Sequence, residues 1–105
     1  MKQLDAESFA SFISSGSKVV QFTADWCIDC KRVAPLLPEL EERFADRFQF
    51  GQLDVDAFRS IAEEHQVKGI PTFIVFKDGE ETGRLPSRDA KTGEQIATFL
   101  EQMAE

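Results

Sequence analysis

The segment Phe22-Thr23-Ala24-Asp25-Trp26-Cys27-Ile28-Asp29-Cys30-Lys31 holds both cysteines and the single tryptophan of a 105-residue chain. An apolar run, Val19 to Phe22, leads into it, and a helix-like pattern from Val33 to Phe44 leads out. The pattern sets a Cys-x-x-Cys pair where a buried strand hands over to a helix start. Unpaired backbone N–H groups gather at such a start and favour an anion. The thiolate is the nucleophile of thiol–disulfide exchange. Cys27, in the first turn, is therefore expected to attack a substrate disulfide. Cys30, deeper in the turn, is expected to resolve the mixed disulfide that results. Three other uses of the pair compete: half of a metal site, two inert thiols, or a relic in a binding module that has lost its redox chemistry. A zinc or iron–sulfur site needs about four ligands. This chain offers only the two cysteines and His65, so no metal site is expected.

The rest of the composition narrows the class. A chain of this length reads as one domain, residues 1–105, with enough buried surface to fold without a disulfide. The 42% apolar content is that of a globular protein, and ten Phe with no Tyr imply a core of large apolar rings. The net charge of −7 argues against nucleic acid or an anionic membrane surface as partner. No apolar run approaches the ~18 residues of a membrane span. Met1-Lys2-Gln3-Leu4-Asp5-Ala6-Glu7 lacks the apolar stretch of a secretory signal. Two cysteines three apart make no extracellular disulfide framework, so a cytoplasmic location is expected.

Read in order, the chain alternates. A short strand at Lys2 to Leu4 precedes a helix capped by Asp5 or Ser8. Lys18 to Ala24 is a strand, with Gln21 its polar exception. A helix from Cys27 to about Phe44 follows, with Val33, Leu36, Leu37, Leu40 and Phe44 as its apolar stripe. Pro35 should bend it, and Pro38 should add strain. Phe48 to Val55 is the next strand, with Phe48, Phe50 and Gln52 on one face and Leu53 and Val55 on the other. Ala57 to His65 is a short helix. Thr72 to Phe76 is strongly β-prone, and Asp78-Gly79 predicts a hairpin to a strand over Thr82 to Leu85. A polar loop, Ser87 to Gly93, leads to a last helix with Ile96, Phe99, Leu100 and Met103 on one face. The order predicts an α/β domain of three layers, a mixed sheet between helices. His65 reads as a core-edge residue near a helix C-terminus rather than a catalyst.

Val20 through Pro35 resembles the active-site segment of thioredoxins. Val67-Lys68-Gly69-Ile70-Pro71-Thr72-Phe73 resembles their cis-proline segment, and Phe76-Lys77-Asp78-Gly79 the hairpin after it. The resemblance spans essentially the whole chain. It implies the thioredoxin fold, with a central mixed sheet of four to five strands and about four helices. It also implies a disulfide reductase that binds no cofactor and works through a redox-active Cys27–Cys30 disulfide. Electrons would come from NADPH through a flavoprotein thioredoxin reductase. By this resemblance Trp26 flanks the site, Ile70 pairs its backbone with a bound substrate strand, and Pro71 is a cis-proline facing the sulfurs. Ile28 joins Trp26 and Ile70 as a docking residue.

Four departures from the family pattern stand out. Ile28-Asp29 lies between the cysteines, where the common thioredoxin has Gly-Pro. That variant is similar to small Cys-x-Asp-Cys thioredoxin-like proteins of Gram-positive bacteria. Asp29 is expected either to raise the thiol pKa of Cys27 by like-charge repulsion, with a candidate role as proton acceptor, or to be only a first-turn acid that favours the helix dipole. Gln21 and Gln52 replace a buried aspartate and its lysine partner, and are expected to hydrogen-bond to each other across adjacent strands. Either replacement alone would strand a buried charge. The usual acceptor for the Cys30 proton is then missing, which leaves Asp29 or a water. Finally, Pro86-Ser87 replaces Val-Gly after the last strand, ahead of the charged run Arg88-Asp89-Ala90-Lys91.

The expected function is thiol–disulfide exchange on disulfide-containing proteins by a monomer that serves cellular redox homeostasis. Two other readings are a reductase of mixed disulfides with low-molecular-weight thiols, and a redox-independent binding or chaperone-like module.

Overall fold

A computed structural model describes all residues, 1–105. The elements in order are β1 Lys2–Gln3, α1 Ala6–Ile13, β2 Ser17–Thr23, α2 Ile28–Val33, α3 Leu37–Arg43, β3 Gln49–Asp54, α4 Arg59–Glu64, β4 Thr72–Lys77, β5 Glu80–Leu85 and α5 Gly93–Met103. The strands form one sheet in the order β1-β3-β2-β4-β5. β1 and β2 run parallel to β3; β4 runs antiparallel to both β2 and β5. Helices cover both faces, so the expected three-layer mixed sheet is present.

Strand periodicity divides the core in two. Val19, Phe73 and Val75 point towards α2, α3 and α5, where they meet Val33, Leu40 and Ile96. Val20, Phe22, Ile74 and Phe76 point the other way, against Phe9 and Phe12 of α1 and Ala62 of α4. His65 closes the second core. It caps α4 and sets its ring edge-on to Phe9 and Phe76, with centroids 5.4 and 5.5 Å apart.

Pro35 breaks the long helix as its missing N–H requires. Ala34–Leu36 form a 3-10 turn between α2 and α3, so the one long helix becomes two and the chain has five α-helices where about four are expected. Pro38 adds no strain. It lies in the first turn of α3, where no intrahelical donor is needed. Leu36 also departs from expectation: it leaves the apolar stripe and is exposed, because the 3-10 turn rotates it away from the core. α4 starts two residues later than the pattern suggests, and β5 two residues earlier.

The turn chemistry is as read. Asp78 and Gly79 both have positive φ, +50° and +90°, which is the tight two-residue turn that matches strand twist. The side chain of Asp5 accepts from the N–H of Ser8, and the Ser8 hydroxyl accepts from the N–H of Asp5. Thr92 and Gln95 make the same reciprocal cap for α5, a signal that lay unread in the polar loop.

Candidate active site

The site lies at the C-terminal end of β2. Cys27 is the N-cap of α2 rather than a residue of its first turn. Its Sγ accepts the Cys30 N–H at 3.1 Å, while its own N–H donates to the Ala24 carbonyl at 3.2 Å. The two cysteines form a disulfide across a Cα separation of 5.2 Å. Both are buried to the same extent, so exposure does not distinguish them. The helix-start N–H does: it points at Cys27 Sγ and would stabilise a thiolate there.

The opposite wall is the cis Ile70–Pro71 peptide. The Ile70 carbonyl oxygen is 3.6 Å from Cys27 Sγ. Ser87 Oγ donates to the same oxygen at 2.9 Å, and Thr72 Oγ1 donates to the Gly69 carbonyl at 2.5 Å. The Ile70 N–H has no acceptor within the protein. Trp26 and Ile28 stand out beside the sulfurs, 65% and 72% exposed. The Trp26 indole is not free: Nε1 donates to Asp56 Oδ2 at 2.6 Å. Asp54 builds that turn by accepting from the N–H groups of Asp56 and Ala57.

Asp29 is an acid of the first turn of α2, and its charge is not free. One carboxylate oxygen accepts from Arg32 at 2.8 Å and the other from Lys91 at 2.6 Å. The Lys91 hydrogen bond, aided by the charges of Lys91 and Arg32, holds the Asp29 carboxyl below its ordinary range. A carboxylate so held is a weak base, and its charge is balanced before it can repel a thiolate. Lys91 lies 62 residues away in sequence, so no local pattern could show the pairing. Its loop is fixed by Ala90, fully buried, and by the Lys91 N–H on Gln95 Oε1 at 2.8 Å.

Gln21 and Gln52 are aligned neighbours on β2 and β3, but no hydrogen bond joins their amides, contrary to expectation. They face instead a cavity of about 230 Å³ whose lining also includes Cys30, Asp25 and Asp54. A polar space of that size has room for water. Gln21 itself is only 2% exposed. Gln21 and Gln52 thus put uncharged amides into a cavity beside Cys30 whose charged lining is Asp25, Lys31 and Asp54. Sequence reading named Ser87 and Lys91 only as parts of a departing loop, not as contacts of Ile70 and Asp29, and missed Asp54 and Asp56 altogether. Only Asp54-x-Asp56 carried a local signal, an acid at a strand end followed by free N–H groups.

A disulfide capped by a helix N–H and faced by a cis-proline defines a thiol–disulfide oxidoreductase. Residues 1–102 match the family model described as "Thioredoxin". The chain is 42% identical over 94 residues to the thioredoxin of Staphylococcus epidermidis, covering 90% of this chain and 88% of that one. It is 39% identical over 85 residues to the thioredoxin of Chlamydia caviae, covering 81% and 82%. The solution structure of oxidised thioredoxin from Plasmodium falciparum superposes with a TM-score of 0.88 at 28% identity, over 100% of this chain and 99% of that one. The chain belongs to the thioredoxin family. It has the thioredoxin fold and is a protein disulfide reductase acting through the Cys27–Cys30 pair.

Proposed function

We propose that Cys27 is the attacking sulfur and Cys30 the resolving one. In the reduced protein the Cys27 thiolate attacks one sulfur of a substrate disulfide. The substrate S–S bond breaks and its other sulfur leaves as a thiolate, which takes up a proton. Cys30 loses its proton and attacks Cys27 Sγ. The mixed disulfide breaks, the second substrate thiol is released, and the Cys27–Cys30 disulfide forms. Two electrons pass from the dithiol to the substrate. The observation that carries this order is the Cys30 N–H on Cys27 Sγ at 3.1 Å.

The free N–H of Ile70 gives a substrate strand a donor beside the sulfurs, with Trp26, Ile28 and Pro71 as the surrounding contacts. Gln21 and Gln52 support the floor without charge. The Cys30 proton leaves by water in the adjoining cavity; Asp29, engaged by two cations, is assigned no proton transfer. Recycling is by NADPH through a thioredoxin reductase, and the protein acts as a cytoplasmic monomer in electron transfer to protein disulfides. The named thioredoxins among its relatives support that assignment.

The test is a pair of variants. Cys30→Ser should accumulate mixed disulfides through Cys27 and lose NADPH-dependent turnover with thioredoxin reductase. Cys27→Ser should accumulate none. Trapping by Cys27→Ser instead would reverse the roles. Full retention of partner binding and cellular activity by both would point to the redox-independent module.

A further inference from the structure

The sheet order puts unlike charges on the two sides of the active-site face. β2, which leads into Cys27, lies between β3 and β4. On the β3 side the cavity beside Cys30 is lined by Asp25 and Asp54 with the single cation Lys31, and Asp56 nearby is already bonded to Trp26. On the β4 and β5 side a groove of about 320 Å³ runs past Gly69 and Ser87, and its charged lining is Lys68, Arg84 and Arg88, with no acid. Arg84 is engaged. It makes two bonds of 2.7 Å to the Glu81 carboxylate and also donates to the His65 and Gln66 carbonyls. Lys68 is different, since no hydrogen bond or ion pair holds it. Arg88 has only Asp89, at 3.6 Å, and its side chain is 83% exposed. Exposed pairs at that distance contribute little. One unpaired cation, Lys68, and one weakly paired cation, Arg88, thus flank one groove in a chain of net charge −7.

The groove adjoins the chemistry. Ser87 lines it and donates to the Ile70 carbonyl at 2.9 Å, and that oxygen is 3.6 Å from Cys27 Sγ. We propose that this groove receives a carboxylate of the substrate polypeptide: an Asp or Glu side chain next to the reacting cysteine, on the side that lies towards β5. The inference rests on Cys27 as the attacking sulfur and adds a substrate class to it. Lys68 and Arg88 supply charge-assisted donors for the carboxylate. Trp26 and Ile28 take the apolar residues on the other side. Substrates are selected by acid on one flank, and basic or neutral peptides gain nothing there. Rim cations of this kind act mainly on the association rate, and their effect fades with salt.

The test uses two disulfide-bonded peptides identical except for Glu or Gln beside the reacting cysteine. The rate constant for oxidation of the pre-reduced protein is measured with each. At low ionic strength the Glu peptide should react about three- to tenfold faster, the range expected for one or two exposed charge pairs. The ratio should shrink as salt is added. The double variant Lys68→Gln, Arg88→Gln should bring it to about one. Lys77→Gln, at the far end of β4, should keep it. Equal rates in the wild-type protein, or a ratio that survives the double variant, would overturn the groove. Oxidation by neither peptide would overturn the dithiol reading itself.

Discussion

The two faces of β2 make opposite use of one strand. Val20 and Phe22 are fully buried against a closed core of aromatic rings. One residue over, Gln21 faces the other layer and opens onto a polar cavity beside Cys30. The backbone hydrogen bonds to β3 and β4 are shared by both faces. The difference therefore lies wholly in the side chains. One face supplies stability by exclusion of water; the other sets a buried amide against a polar cavity beside the resolving cysteine of the proposed mechanism.

The largest effect that would separate the faces is Phe22→Ala. The ring has no room to be replaced by solvent, so the loss combines burial and cavity terms, ~3–5 kcal/mol. Against a total of ~5–15 kcal/mol for a native domain, this is a large share. Denaturant unfolding of the oxidised protein should show it as a shift in midpoint. The reduction potential of the surviving folded protein should stay near the wild-type value, because Phe22 touches neither sulfur's floor nor its cap.

Gln21→Asp tests the second face and should cost less, ~1–3 kcal/mol for a buried polar group left without its partner. Burial pushes that new carboxyl up. An acid with a raised folded pKa costs nothing below its unfolded value, near ~3.9. Its cost grows as pH rises towards the folded pKa and then levels. The variant should thus match wild-type stability near pH 3 and fall behind at neutral pH. It should also add an ionisation to the pH profile of the Cys30 resolving step. Gln52→Lys in the same chain should recover most of the loss, since the two positions are aligned neighbours. A penalty independent of pH would mean that the cavity, not the charge, sets the cost.

These faces differ in how much the sequence reveals. The aromatic core follows from period-two patterning, and β2, β4 and the hairpin turn are read from apolar runs and Asp78-Gly79 alone. The Cys-x-x-Cys pair is equally local. Pro38 was harder, because whether a proline strains a helix depends on where the preceding 3-10 turn resets the first turn. The chemical face is built from distant pieces. Gln21 and Gln52 are recognisable as a linked pair, but that they turn to a cavity rather than to each other depends on the packing of α2. Ser87 on Ile70 and Lys91 on Asp29 join loops that no periodicity connects. A reading from Asp29 alone assigns it a free charge; the fold supplies the countercharge from 62 residues away.

That countercharge gives the finest separation between an amide floor and a charged rim. Lys91→Gln should leave Asp29 with Arg32 only. Asp29 then carries less compensation, and a thiolate at Cys27 becomes harder to form. The rate of Cys27 alkylation in the reduced protein should fall at neutral pH, and the midpoint of its pH profile should move up by under about one unit. Asp29→Asn in the same chain should move it back, which a merely structural role for Lys91 would not do. The stability consequence has a definite sign. The Lys91 bond lowers the folded pKa of Asp29, so its contribution is present at neutral pH and is lost as pH falls through that lowered value. The wild-type and Lys91→Gln proteins should therefore differ in unfolding midpoint at pH 7 and converge in acid. The pair is solvent-exposed, so the difference should be small and should shrink in salt. If the alkylation midpoint stayed fixed while stability fell, the Asp29–Lys91–Arg32 cluster would be a clasp between α2 and the loop before α5, and charge at the site would be set by the helix N–H alone.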